Sequence, residues 1–168
     1  KKFITVGIDP LVNKYSKFYK SINFKISNFF SLKNLIKNKV NFKFKVITAL
    51  SMFYDLKNPN SFIKDIQKIL HKDGVFILEH ADLLSLFKYK LFDTICHEHL
   101  EYYSSKIIIN LMKQNKLKVF DIKTNKINGG SSRYLISHEF SKFKINHKKI
   151  KKILYEEKKL KLEEKSSY

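Results

Sequence analysis

The sequence predicts an α/β fold, a layered sheet with parallel strands, on three observations. Apolar, β-branched segments at 3–9, 44–50 and 75–78 each run into a polar loop at their carboxyl end. Between the second and third lies an amphipathic segment opened by Asn58-Pro59 and closed by Lys72-Asp73-Gly74, the helix of a crossover between parallel strands. With 168 residues and 43% hydrophobic content, the chain is long enough to bury a core around such a sheet.

The elements follow in order. FITVGID at 3–9 reads as a buried strand ending at Gly7, Asp9 and Pro10. A carboxylate at the carboxyl end of such a strand can grip ribose hydroxyls, whereas an Asp-Pro there can also be an ordinary turn. Residues 22–27 form a short strand followed by Asn28, Phe29 and Phe30, and the two phenylalanines can belong to the core. Ser31 caps a helix through Lys37, with Leu32, Leu35 and Ile36 on one face. FKVITAL at 44–50 is a second buried strand, and Ser51 to Asp55 is the loop at its carboxyl end, where ligands of open α/β sheets collect.

Phe62, Ile63, Ile66, Ile69 and Leu70 repeat at helical spacing after Asn58-Pro59. The strand at 75–78 places Glu79 and His80 at its end, and Glu79 reads either as a ligand for hydroxyls or as a strand cap. A helix at 104–115 buries Ile107, Ile108, Leu111 and Met112, and strands follow at 117–122 and 132–136. Between them, Asn128-Gly129-Gly130-Ser131 supplies a positive-φ turn, either a plain hairpin or a loop lining a site. From Lys142 to Lys165 a Lys/Glu-rich helix shows Ile150, Ile153 and Leu154 on one face and reads as a solvated helix packed on a neighbour outside this sequence.

The chemistry concentrates in FDTICHEHLEYYS at 92–104. His97, Glu98 and His99 are consecutive, so two imidazoles and a carboxylate share a small region however the chain folds. Imidazole titrates near neutral pH and serves as a general base, and a carboxylate beside it can set its tautomer. This segment, the strand ending in Glu79 before it, and the NGGSSR of 128–133 after it together resemble the sugar C-methyltransferases. The resemblance runs from about Val6 to Tyr168, and several spaced motifs agree in order.

The resemblance implies a three-layer, Rossmann-like class I methyltransferase sheet, incomplete at its N-terminus. It also implies S-adenosyl-L-methionine as cofactor and a nucleotide-linked keto-deoxysugar as substrate, C-methylated through an enolate. On that basis Asp9 holds the ribose of the cofactor, Asn28 and Phe29 meet adenine, and Ser51 lies on the cofactor loop. His99 is the base, Glu98 its orienting or relay partner, and His97 or Tyr54 serves the oxyanion. Glu79, Cys96, Ser131 and Arg133 face the sugar nucleotide. Two departures stand out: Tyr54 occupies a loop where relatives carry a His, and Cys96 a position often held by Tyr. Residues 1–140 form the partial methyltransferase domain, and 141–168 lead toward a C-terminal lobe of the family. A truncated, non-catalytic remnant or binding module of the same fold is the alternative.

Composition narrows the remaining classes. The formal net charge is +19, yet Arg133 is the one arginine among 34 Lys and Arg, and the lysines spread over every segment. Bidentate phosphate and base recognition favour Arg, so a specific nucleic-acid partner is not expected. No apolar run has the length of a membrane span, and the single cysteine cannot form an internal disulfide; a cytoplasmic location is expected. Zinc on Cys96, His97 and His99 is a second enzymatic reading, but adjacent ligands suit one tetrahedral ion poorly. No metal and no membrane partner are therefore expected, and oligomeric state is left open.

Overall fold

A computed structural model describes residues 3–162. The chain divides into two compact units, Lys1–Lys43 and Phe44–Tyr168.

In the smaller unit, β1 (Val6–Ile8) pairs in parallel with β2 (Phe24–Ile26), in the register Val6 to Phe24 and Ile8 to Ile26. Thr5 and Asn23 clamp the open end of this pair, Thr5 donating from N–H and Oγ1 to Asn23 Oδ1 at 2.9 Å each. Helix α1 (Leu32–Lys37) begins as expected at Ser31, whose hydroxyl accepts from the Asn34 N–H at 3.1 Å. Of its apolar residues Leu35 is buried, as are Val12, Ile26 and Val40, while Ile36, expected on the same face, is 57% exposed.

The larger unit is a four-stranded sheet in the order β3-β4-β6-β5. Strand β3 (Phe44–Leu50) and β4 (Leu70–Ala81) are parallel and joined through α2 (Pro59–Ile69), the expected crossover. The Asn58 side chain accepts from the Ser61 N–H at 3.0 Å and Pro59 stands at the first turn of the helix. After α3 (Leu83–Tyr89) and α4 (Ser105–Gln114), strand β5 (Leu117–Asn125) turns back into β6 (Ser131–His138). Strand β6 inserts antiparallel between β4 and β5. Phe62, Ile63, Ile66, Phe76, Leu78, Ile108, Met112, Ile122, Tyr134 and Ile136 form the core.

Three expectations are corrected. Lys72-Asp73-Gly74 does not close α2; the helix stops at Ile69, and those residues lie inside β4 beside an irregularity in its pairing with β3. Gly74 is needed for close approach rather than for a turn, since a Cβ there would lie 2.7 Å from the Phe44 carbonyl oxygen. Strand β3 is an edge of its sheet, so Val46 and Leu50 are more than half exposed despite their strand-core composition. Ile107 is likewise turned out of the α4 stripe, where Ile108 and Met112 are fully buried.

The last described helix, α5 (His147–Lys159), is shorter than the expected 142–165, of which residues 163–165 lie outside the described residues. It packs on elements of this chain rather than on a neighbour outside it. It contacts α4 and β5, and Glu157 reaches the start of α4, where its carboxylate accepts from the Ser105 N–H at 2.5 Å and the Lys106 N–H at 3.2 Å. A helix N-terminus presents unpaired N–H groups and a positive dipole end, so a carboxylate from another helix satisfies both.

Candidate active site

The carboxyl end of β3 builds one wall. Ser51 adopts a left-handed backbone (φ 51°), and its N–H donates to the Glu79 carbonyl at 2.8 Å, which ends the strand and turns the chain outward. A short 3-10 turn, Phe53–Asp55, follows. Phe53 points into the core with no exposure, and Tyr54, the next residue, is left half-buried at the surface. The Tyr54 carbonyl accepts from the Leu100 and Glu101 N–H groups at 3.0 and 3.2 Å, stitching the HEH segment onto this loop.

That stitch brings His99 onto Tyr54, with ring centroids 4.2 Å apart and the planes inclined by 50°. His99 Nδ1 lies 3.0 Å from the Thr94 carbonyl oxygen. A carbonyl only accepts, so Nδ1 carries the proton in the neutral ring and Nε2 presents a lone pair. The orienting partner of His99 is therefore a backbone carbonyl within its own segment, in the place expected of Glu98. Glu98 and His97 sit in an exposed turn. Cys96 is half-buried with its N–H donating to the Tyr102 hydroxyl at 3.1 Å. Among the described residues no group of three or more His, Cys, Asp or Glu has the arrangement of a metal site, so Cys96, His97 and His99 do not converge as the zinc reading required.

Burial raises the Tyr54 phenol above its ordinary range, as does the nearby Asp55 carboxylate, and a hydrogen bond with the Ser51 side chain opposes them in part. Tyr54 is thus held protonated, a donor. Asp55 was not singled out in the sequence. Its carboxyl is raised by burial, lowered by His99 and raised by Glu98, which places all three groups in one electrostatic neighbourhood.

A second cluster lies at the end of β4. Glu79, 7% exposed, accepts from Arg133 Nε and from Asn125 Nδ2, the latter at 3.1 Å. Residues 79 and 133 are directly opposed across β4 and β6, so their side chains share a sheet face. Arg133 keeps a side chain 43% exposed and so can present its outer nitrogens to a ligand, while Glu79 is committed to holding it. Ser131, expected at the substrate, is buried, and its hydroxyl donates to the Ile127 carbonyl at 2.9 Å within the glycine loop.

The loop needs its glycines. Gly129 and Gly130 have φ of 78° and 150°, and a Cβ on them would lie 2.7 Å from Leu91 and 2.5 Å from Ser85 respectively. The loop is thereby pressed against α3 and the entry to the HEH segment. Asp82 locks the same corner: Oδ1 caps α3 through the Ser85 N–H at 2.7 Å, and Oδ2 accepts from Ser132 Oγ at 3.1 Å. Sequence reading missed Asp82, although an Asp three residues before a Ser at a helix start is a capping pattern.

The residues expected at the cofactor in the smaller unit lie at the carboxyl ends of its two parallel strands. Asp9 follows β1 and is half-exposed; its Oδ1 accepts from the Leu11 N–H at 2.7 Å, and among the described residues its Oδ2 has no partner. Asn28 and Phe29 follow β2 and are exposed, Phe29 by 75%, which removes the core reading of that phenylalanine. A carboxylate with an available oxygen and an exposed aromatic face suit a ribose and an adenine, so these residues fit a nucleoside cofactor.

A family model for a methyltransferase domain matches residues 2–122. The chain belongs to the methyltransferase-domain family. Its fold is that of S-adenosylmethionine-dependent methyltransferases. The S-adenosylmethionine-dependent methyltransferase of Clostridium acetobutylicum superposes with a TM-score of 0.60 at 14% identity, over 81% of this chain and 75% of that one. The plantazolicin methyltransferase BamL, solved with S-adenosylhomocysteine and a triazolic desmethylPZN analogue, gives 0.55 at 13% identity, over 83% and 69%. In sequence, the C-methyltransferase NovU of Streptomyces niveus is 30% identical over 87 residues, 52% of this chain and 21% of NovU. The chain thus spans about a fifth of the length of that curated relative. Among the described residues no helix is long and apolar enough to cross a membrane.

Proposed function

We propose that this methyltransferase domain binds S-adenosylmethionine and serves C-methylation of a nucleotide-linked keto-deoxysugar, with His99 as the base. The observation that carries the reading is the tautomer of His99. With Nδ1–H given to the Thr94 carbonyl, Nε2 is the basic atom, and Tyr54 stands against the ring as a protonated donor. The similarity to NovU supports carbon as the methyl acceptor.

In this reading a ketone acidifies the neighbouring carbon-bound proton. His99 Nε2 removes that proton, and the electron pair moves into an enolate whose oxygen takes a hydrogen bond from Tyr54. S-adenosylmethionine, when bound, would supply an electrophilic methyl group for the enolate carbon. His97 stands in reserve for the oxyanion, Glu98 and Asp55 keep negative charge near the imidazolium that forms, and Cys96 takes the place of a sugar-facing phenol. Arg133, held by Glu79, takes an anionic oxygen of the nucleotide. Asp9 holds the ribose, Asn28 and Phe29 the adenine, and Ser51 is assigned to the cofactor through its strand end.

The test is calorimetric titration of S-adenosylhomocysteine into the chain, followed by transfer of labelled methyl to 4-keto sugar nucleotides with His99→Ala as control. Saturable binding with transfer that depends on His99 supports the reading. Binding without transfer leaves the non-catalytic alternative, and the absence of both overturns it.

A further inference from the structure

His80 takes no part in the chemistry above, yet it is a fully enclosed titratable group near the site. It is the residue after Glu79 on β4, its side chain on the opposite face of the sheet, with no exposure. Its Nδ1 lies 2.7 Å from the Ala81 carbonyl oxygen, so Nδ1 carries the proton and pins the ring to its own strand. Nε2 is buried and meets no donor among the described residues. Burial holds the group below the ordinary imidazole range, so the ring is neutral.

The surroundings are aromatic. Phe53 lies nearly parallel to the His80 ring at 6.3 Å and 21°, and Tyr134 at 5.5 Å and 25°. Two further rings meet it at steep angles: Tyr54 at 6.4 Å and 86°, Tyr103 at 5.9 Å and 65°. Tyr54 is also the ring that faces His99. A neutral ring flanked by two aromatic planes has little rotational freedom, and an edge-on neighbour inherits that rigidity. An unpaired Nε2 opposes burial, so hydrogen bonding of that atom to the protein does not account for the ring's place here.

We propose that His80 is a positioning residue: it is the fixed wall that holds the Tyr54 ring against His99. The proposal rests on the reading of Tyr54 and His99 as the reacting pair, and its structural half can be tested without turnover. His80 needs a flat, rigid ring for this role and does not need to titrate. Phe should therefore replace it, while Leu, which fills similar volume without a plane, should not.

The experiment is NMR of the full chain with labelled histidine and tyrosine. In the wild type, contacts are expected from the His80 ring to the Tyr54 ring and from Tyr54 to His99, with the His99 ring protons shifted upfield by the Tyr54 face. His80→Phe keeps that upfield shift, with stability equal or higher because the unpaired nitrogen is gone. His80→Leu loses it. Ile136→Val, which opens a small void farther down the same strand pair, keeps it and so separates positioning from general loss of packing. Where methyl transfer is measurable, His80→Leu lowers kcat about tenfold with little change in KM, and His80→Phe restores it. An upfield shift retained in His80→Leu overturns the proposal. If that variant does not fold, absence of the wild-type contact to Tyr54, or loss of the shift in His80→Phe, overturns it equally. A chain that shows the shifts but no transfer refutes the activity and leaves the wall in place.

Discussion

The Tyr54 ring lies over the His99 ring at 4.2 Å, and the same tyrosine's carbonyl receives the two N–H groups that follow His99, those of Leu100 and Glu101. One residue thus supplies both the backbone dock for the HEH segment and the aromatic face for its imidazole. Two segments far apart in the chain become a single rigid corner, and proton transfer requires that kind of fixed geometry.

From this corner follows a graded pair of substitutions. His99→Ala should lower methyl transfer by about 10²- to 10⁴-fold, the usual worth of a general base, with an unchanged circular dichroism spectrum. Tyr54→Phe keeps the ring and the backbone dock but removes the donor, so a smaller loss of about tenfold is expected, read in kcat. Equal rates in wild type and His99→Ala would remove His99 as the base.

Gly130→Ala tests the glycine loop. The added Cβ meets Ser85 Cβ and Oγ at 2.5 Å, and φ of 150° strains any L-residue, so a loss of about 2 kcal/mol or more is expected by thermal unfolding. Ser85→Gly in the same chain should recover the contact part and leave the φ part. An alanine variant as stable as the wild type would mean that the loop does not press on α3.

Arg133→Ala leaves the Glu79 carboxylate, with its side chain 9% exposed, to Asn125 alone. Removing one partner of a buried pair is costly, but Arg133 is 43% exposed and part of its gain is screened, so about 2 kcal/mol is expected from urea unfolding. Arg133→Lys should not recover it, since an ammonium cannot reproduce the Nε geometry. An unmoved urea midpoint in Arg133→Ala would show that the pair contributes nothing.

Local signals were legible in the sequence, and long-range ones were not. Strand 44–50, the Ser31 and Asn58 caps and the positive-φ glycines each depend on residues a few positions apart, and each is found where the pattern puts it. Lys72-Asp73-Gly74 misled because a turn-like triplet was absorbed into β4, where tertiary approach to Phe44 decides. The closeness of Cys96, His97, Glu98 and His99 was readable, but not which partner His99 would take, because the Thr94 carbonyl has no side-chain signature. His80 and Glu157 carry no periodic trace at all, and of Asp82 only the local cap on Ser85 was readable; the rest of their roles comes from contacts with Tyr54, Ser105 and Ser132, all remote in sequence.

Glu157 provides the last test, on both stability and pH. Its carboxylate caps α4 from another helix, so Glu157→Ala should cost about 1 to 2 kcal/mol and fray the start of α4, where hydrogen exchange at Ser105 and Lys106 would quicken. Burial raises the Glu157 carboxyl above its ordinary value, and the Ser105 and Lys106 hydrogen bonds only partly offset this. The folded state then binds the proton more tightly than the unfolded one. Linkage makes the slope of stability with pH negative in the interval between the two values. The proton-linked contribution is fully present below the unfolded value and fades as pH rises through the higher folded one. Glu157→Gln keeps much of the cap and removes the titration. The difference in unfolding free energy, wild type minus Glu157→Gln, should therefore fall as pH rises from about 4 to about 7. A difference that grows over that range would mean that the cap's hydrogen bonds outweigh burial and that the carboxyl is lowered in the fold.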